Sequence, residues 1–492
     1  MKSALSALSG LSAWTGTLSA RGRRAVRAVL PRRPARLAAV TLVSGLVTAG
    51  TLAGATSAVA EEAPRSGGGA TATIGGLKTY GDAVVHGADG DRQVSAGLFA
   101  MSVEGGGTLQ TYCVDIDNPT QKGARYQETP WSGTSLGANA AAGRIHWILR
   151  NSYPQVNDLA ALAAEAGVPG LTEQDAAAGT QVAIWRYSDG ADVEALAPRA
   201  ERLADYLERS ARDTAEPQAS LSLDPPAVSG RPGEQLGPVT VHTTADSVTV
   251  TPPAAATANG VTVVGTDGKP ITSAADGSRI YFDVPGDATA GSASLTVQAS
   301  TSVPVGRAFV SDSRSQTQIL AGSSESTVSA TATADWAEQG AIPALSARRN
   351  CAKGGLDITA ANQGDEPFVF SLMGTEHSVA VGGRQTVLVP LQEDQAYDFT
   401  IKGPHGAGSR FEGVLDCATE TAESKAVGGE SVQTLSEPSP LTVGGGTDTT
   451  NLAETGGSGA TPLIAGTAIG LVVIGGAVLL LLGRRKNPTT RH

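Results

Sequence analysis

"TYCVDIDNPTQ", residues 111–121, closes a run of strand-like sequence and leads into sequence of helical period. Before it, short Val/Thr-rich segments with Gly punctuation read as strands: "TATIGGL" (71–77), "GDAVVHG" (81–87), "QVSAGLFAMSV" (93–103) and "TLQTYCVDI" (108–116). After it the period changes. "LGANAAAGRIHWILRNSY" sets Ala141, Ile145 and Ile148 on one side of a helix, and "NDLAALAAEAG" is a second helix ending at Gly167. "LTEQDAAAGTQVAIWRYSDG" is a third, with Thr172 and Asp175 at capping-box spacing and Gly190 as its stop. "PRAERLADYLERSARD" is a fourth. Strands first and helices after predict an α+β domain over residues 70–215.

A proline-containing boundary, "AEPQASLSLDPPAVSGRPGE", opens a different texture. Residues 217–335 alternate Val, Thr and Ser with turn residues, as in "VTVHTTADSVTVTPP", "SRIYFDVP" and "SASLTVQAS". This spacing predicts a β-sandwich stalk domain resembling immunoglobulin-like surface modules. Residues 346–420 have the same character and predict a second sandwich-like domain. Residues 421–451 are polar and free of aromatics, the composition of a flexible tether. The fold class expected is therefore multidomain: an α+β domain, β-sandwich domains, a tether and a C-terminal transmembrane helix.

Both ends read as export signals. A basic stretch, "RGRRAVRAVLPRRPAR", precedes an apolar run and "TSAVA", which predicts a signal peptide over residues 1–60 cleaved between Ala60 and Glu61. The export route, general or twin-arginine, is left open. At the other end Thr461–Leu482 is apolar and long enough to cross a bilayer, and Arg484, Arg485 and Lys486 follow it on the cytoplasmic side. Leu452, Ala453, Glu454, Thr455 and Gly456 stand just before the span. Pentapeptide, span and basic tail over residues 452–492 resemble a sortase sorting signal of the LAxTG kind common in actinobacteria. That resemblance implies cleavage after Thr455 by a class E-type sortase and linkage to cell-wall peptidoglycan, hence a secreted, wall-anchored product with a membrane-bound precursor.

Charge narrows the partners. The chain carries 36 basic and 47 acidic residues; eight of the basic ones lie before Glu61 and four from Gly456 onward, with no acid in either segment. The part between is strongly acidic, which disfavours nucleic acid as a partner. Six histidines are scattered without metal-binding spacing, and "DIDNP" lacks the later Gly and Glu of a calcium loop. No metal and no cofactor is expected.

Only Cys113, Cys351 and Cys417 exist. Cys351 and Cys417 bracket the third region, and a bond between them stabilises by about 4 kcal/mol through loop closure. Cys113 is then the odd thiol. It can be an inert core residue, pair with a second copy, act as a nucleophile with His146 as base, or join a non-cysteine side chain of its own domain.

Two motifs favour the last. Tyr112, Cys113, Val114 and Asp115 in the first, and Thr180, Gln181, Ala183, Ile184 and Trp185 in the second, resemble the signature pair of bacterial surface thioester domains, the second being the TQxA motif. The resemblance covers residues 70–215. It implies a thioester between Cys113 and Gln181, with Tyr112, Asp115, Thr180 and Trp185 as its surroundings. Helical spacing sets Gln181 with Ala177, Ala178, Ile184 and Trp185 on an apolar face, where an amide needs partners. The function this implies is a wall-anchored adhesin that captures a lysine amine on a surface target, once and without turnover, and so is not an enzyme. The alternative is a structural surface or assembly protein whose Cys–Gln pair only stabilises the fold; a secreted cysteine hydrolase is the remaining class.

Overall fold

The computed structural model describes residues 68–417 apart from 89, 253–259 and 405–407. The export signal with Ala60 and Glu61, the 421–451 tether, the Leu452–Gly456 motif and the 461–482 span lie outside the described residues. Among the described residues, which belong to one compact unit, no helix is long and apolar enough to cross a membrane.

The chain begins with β1 (Thr71–Val85), β2 (Arg92–Val103), β3 (Thr108–Cys113) and β4 (Arg125–Thr129). There follow α1 (Ala142–Arg150), α2 (Leu159–Ala166), α3 (Glu173–Ser188), the short β5 (Val193–Ala195) and α4 (Pro198–Ser210). Helix α3 starts on a complete capping box: Thr172 Oγ1 accepts from the Asp175 backbone, and the Asp175 carboxylate accepts from the Thr172 N–H. Gly179 lets α4 approach, because a Cβ there would stand 2.5 Å from the Ala200 carbonyl oxygen.

Residues 70–215 do not close a domain by themselves, which corrects the boundary expected at 217. The chain leaves to build β6 (Leu221–Asp224), β7 (Ala227–Gly230), β8 (Gln235–Thr243), β9 (Val248–Thr251), β10 (Thr262–Val264), β11 (Ser273–Ala274), β12 (Arg279–Asp283) and β13 (Gly291–Ser302). It then returns with β14 (Ala308–Ser311) and β15 (Gln318–Ser323), which enter the first sheet between β3 and β4. The order is β2-β3-β15-β14-β4-β1-β5, and because β1 also pairs with β2, all but β5 form a closed antiparallel ring. β14 is buried along its whole length and β15 at all but its last residue, with no alternation. Burial of both faces follows from a position inside the ring, covered by the helices on one side.

The excursion forms two sheets, β10-β12-β8-β6 and β11-β9-β13-β16-β7, the latter completed by β16 (Glu325–Trp336). They pack face to face through Val239, Val241 and Phe282 on one side and Leu295, Val297 and Trp336 on the other. β16 alternates buried and outward residues throughout, as a half-covered strand does. The sandwich is thus interleaved with the first domain rather than its successor: β6–β13 precede the return strands β14 and β15, and β16 follows them. A buried ion pair holds the two crossings together. Glu128 accepts from Arg307 Nε at 2.9 Å and from the backbone N–H groups of Ala70 and Ser220, while Arg307 also donates to Glu216.

The last region contains β17 (Pro343–Asn350), β18 (Gly355–Asn362), β19 (Phe368–Leu372), β20 (Thr375–Val379), β21 (Arg384–Pro390), β22 (Ala396–Lys402) and β23 (Gly408–Val414). These make three small antiparallel sheets around Leu356, Ile358, Phe368, Phe370 and Phe411. Cys351 and Cys417 are joined, S–S 2.04 Å.

Candidate functional site

Cys113 ends β3 opposite Gln318 at the start of β15. The ladder bond beside them runs from the Val114 N–H to the Thr317 carbonyl, so the two face each other as a non-hydrogen-bonded pair. In such a pair the side chains stand closest, with Cα atoms about 4.5 Å apart. The consequence is direct: Gln318 Nε2 lies 3.3 Å from Cys113 Sγ. Gln318 Oε1 accepts from Thr111 Oγ1 at 2.9 Å, a contact that fixes the carboxamide and draws electron density from its carbonyl. Both residues are buried, Gln318 completely.

The same geometry turns the N–H and C=O of Cys113 away from β15, toward α3. Buried backbone groups need partners. Gln181 supplies both: its Oε1 accepts from the Cys113 N–H at 3.0 Å and its Nε2 donates to the Cys113 carbonyl at 2.9 Å. Gln181 therefore acts as a substitute strand edge, and its amide is spent on the backbone. This corrects the expected Cys113–Gln181 thioester, since the carboxamide at the sulfur belongs to Gln318. The physical reason for a buried Gln on the apolar face of α3 is the pairing of those two backbone groups.

The sulfur has a further neighbour, Thr120 Oγ1, at 3.8 Å. Thr120 is also reached by Gln318 Nε2 at 3.4 Å and Gln316 Nε2 at 2.7 Å. Burial pushes the Cys113 thiol up to about 12, so it stays protonated near neutrality. His146 serves elsewhere, its Nδ1 against the Ala215 carbonyl and the Thr214 hydroxyl.

Acids surround the site. Asp115 folds back on its own loop, accepting from the Asp117 and Asn118 N–H groups, and Asp189 accepts from the Ile116 N–H. Asp416, next to the disulfide, accepts from Thr317 Oγ1 at 3.0 Å. Burial pushes each of these three carboxyls up to about 7, and for Asp115 the neighbouring Asp189 adds to the effect. Among the described residues no group of three or more His, Cys, Asp or Glu side chains could hold a metal ion.

The other motif residues pack around this centre. Tyr112 donates from its hydroxyl to the Tyr153 carbonyl at 2.8 Å, and Thr180 bonds Ser152 and the Ala176 carbonyl. Trp185 is buried in the core shared by α3 and the sheet. Sequence reading missed Gln318, Gln316, Thr120 and Asp416. The one trace of β15 was its unbroken "ILA", which lacks the alternation of the surrounding strands.

Residues 110–213 match the family model of the thioester domain, a stretch that holds Cys113 and Gln181 but stops short of Gln318. Among solved structures, the chain is similar to the TIE protein of Bacillus anthracis, with 17% identity over 71% of this chain and a TM-score of 0.26. The chain spans 64% of that structure's length. It is also similar to the thioester domain of the TIE86 protein of Enterococcus faecium, with 16% identity, 55% of this chain, 97% of that one and a TM-score of 0.26. A third likeness is to the chaperone DraB of E. coli, with 14% identity, 40% of this chain, 98% of that one and a TM-score of 0.16. No curated protein matches the chain.

Proposed function

We propose that this chain is a surface-displayed covalent binder that works through an internal thioester between Cys113 and Gln318. In forming it, Cys113 Sγ attacks Gln318 Cδ, the Cδ–Nε2 bond breaks and ammonia leaves with the thiol proton. A primary amine of a target, such as a lysine, then attacks the same carbon, forming an amide on Gln318 and releasing the Cys113 thiol. The protein is consumed in the event, so it is a single-use hook and not an enzyme. The single observation that carries this reading is the Gln318 carboxamide nitrogen 3.3 Å from Cys113 Sγ, with both residues buried. An amide yields to a thiol only when both are held in near-attack geometry.

Display rests on the ends of the chain. The signal sequence before Glu61 and the LAETG motif ahead of an apolar span support export and sortase linkage to peptidoglycan. The sandwich and the disulfide-bonded region then serve as immunoglobulin-like stalk modules between wall and hook.

One observation favours a second reading, in which the bond only braces the fold: Cys113 is 2% exposed and Gln318 0%. Methylamine separates the two. A hook loses one ammonia on folding, then adds methylamine at Gln318 and exposes a Cys113 thiol that alkylates. A brace loses ammonia but resists methylamine until it is unfolded. Full sequence mass from the start, with Cys113 alkylating on unfolding, overturns both.

A further inference from the structure

Closing and opening the thioester move the same proton between sulfur and nitrogen. In closure the proton on Sγ must reach the departing nitrogen. In opening, a proton of the attacking amine must reach the departing sulfur. The thiol stays protonated at neutral pH because it is buried, so its proton cannot simply be lost to water beforehand. Something must carry it.

Thr120 Oγ1 is the hydroxyl that touches both atoms, 3.8 Å from Cys113 Sγ and 3.4 Å from Gln318 Nε2. A hydroxyl both donates and accepts, so it can take a proton on one side while giving one on the other. Gln316 fixes it there by donating from Nε2 at 2.7 Å. Gln316 is itself buried, and its Oε1 has no partner among the described residues. That unpaired acceptor belongs to a carboxamide bonded to Thr120.

We propose that Thr120 is a catalytic residue of this chemistry, relaying the proton between Cys113 Sγ and the nitrogen at Gln318 Cδ in both directions. In closure the Sγ–Cδ bond forms and the Cδ–Nε2 bond breaks. The Sγ proton passes to Thr120 Oγ1 as the Thr120 proton passes to Nε2, and ammonia departs with Thr120 unchanged. In opening the amine nitrogen bonds to Cδ, its proton travels through Thr120 to Sγ, and the Sγ–Cδ bond breaks. By microscopic reversibility the position of Gln318 Nε2 in this structure is where the incoming amine sits. The substrate class that fits is an unhindered primary amine, since the nitrogen must enter between Sγ and Thr120. This assignment rests on the Cys113–Gln318 thioester.

The test is kinetic, on the purified full chain. Ammonia loss during folding and methylamine addition to the folded protein are both followed by mass. Thr120→Val removes the hydroxyl at similar size and is expected to slow both reactions by about 10²-fold, within the range of positioned proton transfer. Thr120→Ser keeps the hydroxyl and restores most of both rates, which a purely packing role for the threonine does not predict. Ammonia loss and methylamine addition at unchanged rates in the Val variant overturn the relay and leave the thioester standing. No ammonia loss in the unaltered chain overturns the thioester and the relay with it. If the Val variant does not fold, the unaltered protein decides: methylamine opening in mixtures of light and heavy water gives a bowed rate dependence for two protons in flight, and a straight one overturns the relay.

Discussion

Two glutamines converge on Cys113, and their geometry assigns them opposite jobs. Gln181 holds the backbone of the cysteine and Gln318 faces its sulfur. Replacing each by Ala separates these roles. Gln318→Ala leaves a chain that folds, loses no ammonia and carries a Cys113 thiol that alkylates on unfolding. Gln181→Ala strands a buried N–H and C=O, which costs about 1–3 kcal/mol for each group and appears as a lowered unfolding midpoint in urea. Gln181→Ala that abolishes the thioester while leaving stability unchanged contradicts this division. The motif around Gln181 was legible because it is local and sits on a helix with clear periodicity. Its role was misread because a motif resemblance says nothing of which atoms the amide of Gln181 meets, 68 residues along the chain from Cys113.

At the level of elements, the helices were the most legible part. Apolar spacing of three and four residues placed α1, α3 and α4, and the Thr172–Asp175 pair marked the start of α3. That pair is complete in the structure, and Arg199 adds a bond to Asp175 at 2.9 Å. Thr172→Ala is expected to lower stability by about 1 kcal/mol, read from thermal or urea unfolding; no change would mean that the cap is redundant with tertiary packing of α3. Strands were legible as strands, but not their partners. β14 and β15 lie in a Val/Ser/Thr-rich stretch whose texture matches the sandwich on either side. Period two reports which residues share a face, and it carries no record of the sheet a strand will join. Pairing across more than two hundred residues, as between Cys113 and Gln318, is decided by the packed core and not by local pattern.

For the whole molecule, the interleaved sandwich makes the site depend on distant chain. Glu128 and Arg307 clamp the points where the chain leaves the first sheet and returns to it. Arg307→Met leaves Glu128 buried without its cation and is expected to cost about 3–5 kcal/mol in urea unfolding. A cost below 1 kcal/mol would show that water or rearrangement satisfies the carboxylate. Asp416 links the disulfide-bonded region to Thr317, one residue from Gln318. Its carboxyl titrates near 7 when folded against 3.8 ordinarily, so the folded chain holds a proton that the unfolded chain has released between those values. Its contribution to stability is therefore full below pH 4 and is lost as pH rises through about 7. Asp416→Asn removes this dependence, so the variant gains in melting temperature relative to the unaltered protein between pH 4.5 and 7.5. An equal difference at both pH values contradicts the assignment.

The covalent binding and the proton relay rest on which carbon the sulfur attacks. The most direct measurement is tandem mass spectrometry of the protein digested under mildly acidic conditions, without added thiol or amine, to find the peptide covalently joined to Cys113. A peptide containing Gln318, with the pair lighter by one ammonia, is the result predicted here. Linkage to the peptide containing Gln181, or a Cys113 peptide joined to nothing, contradicts it.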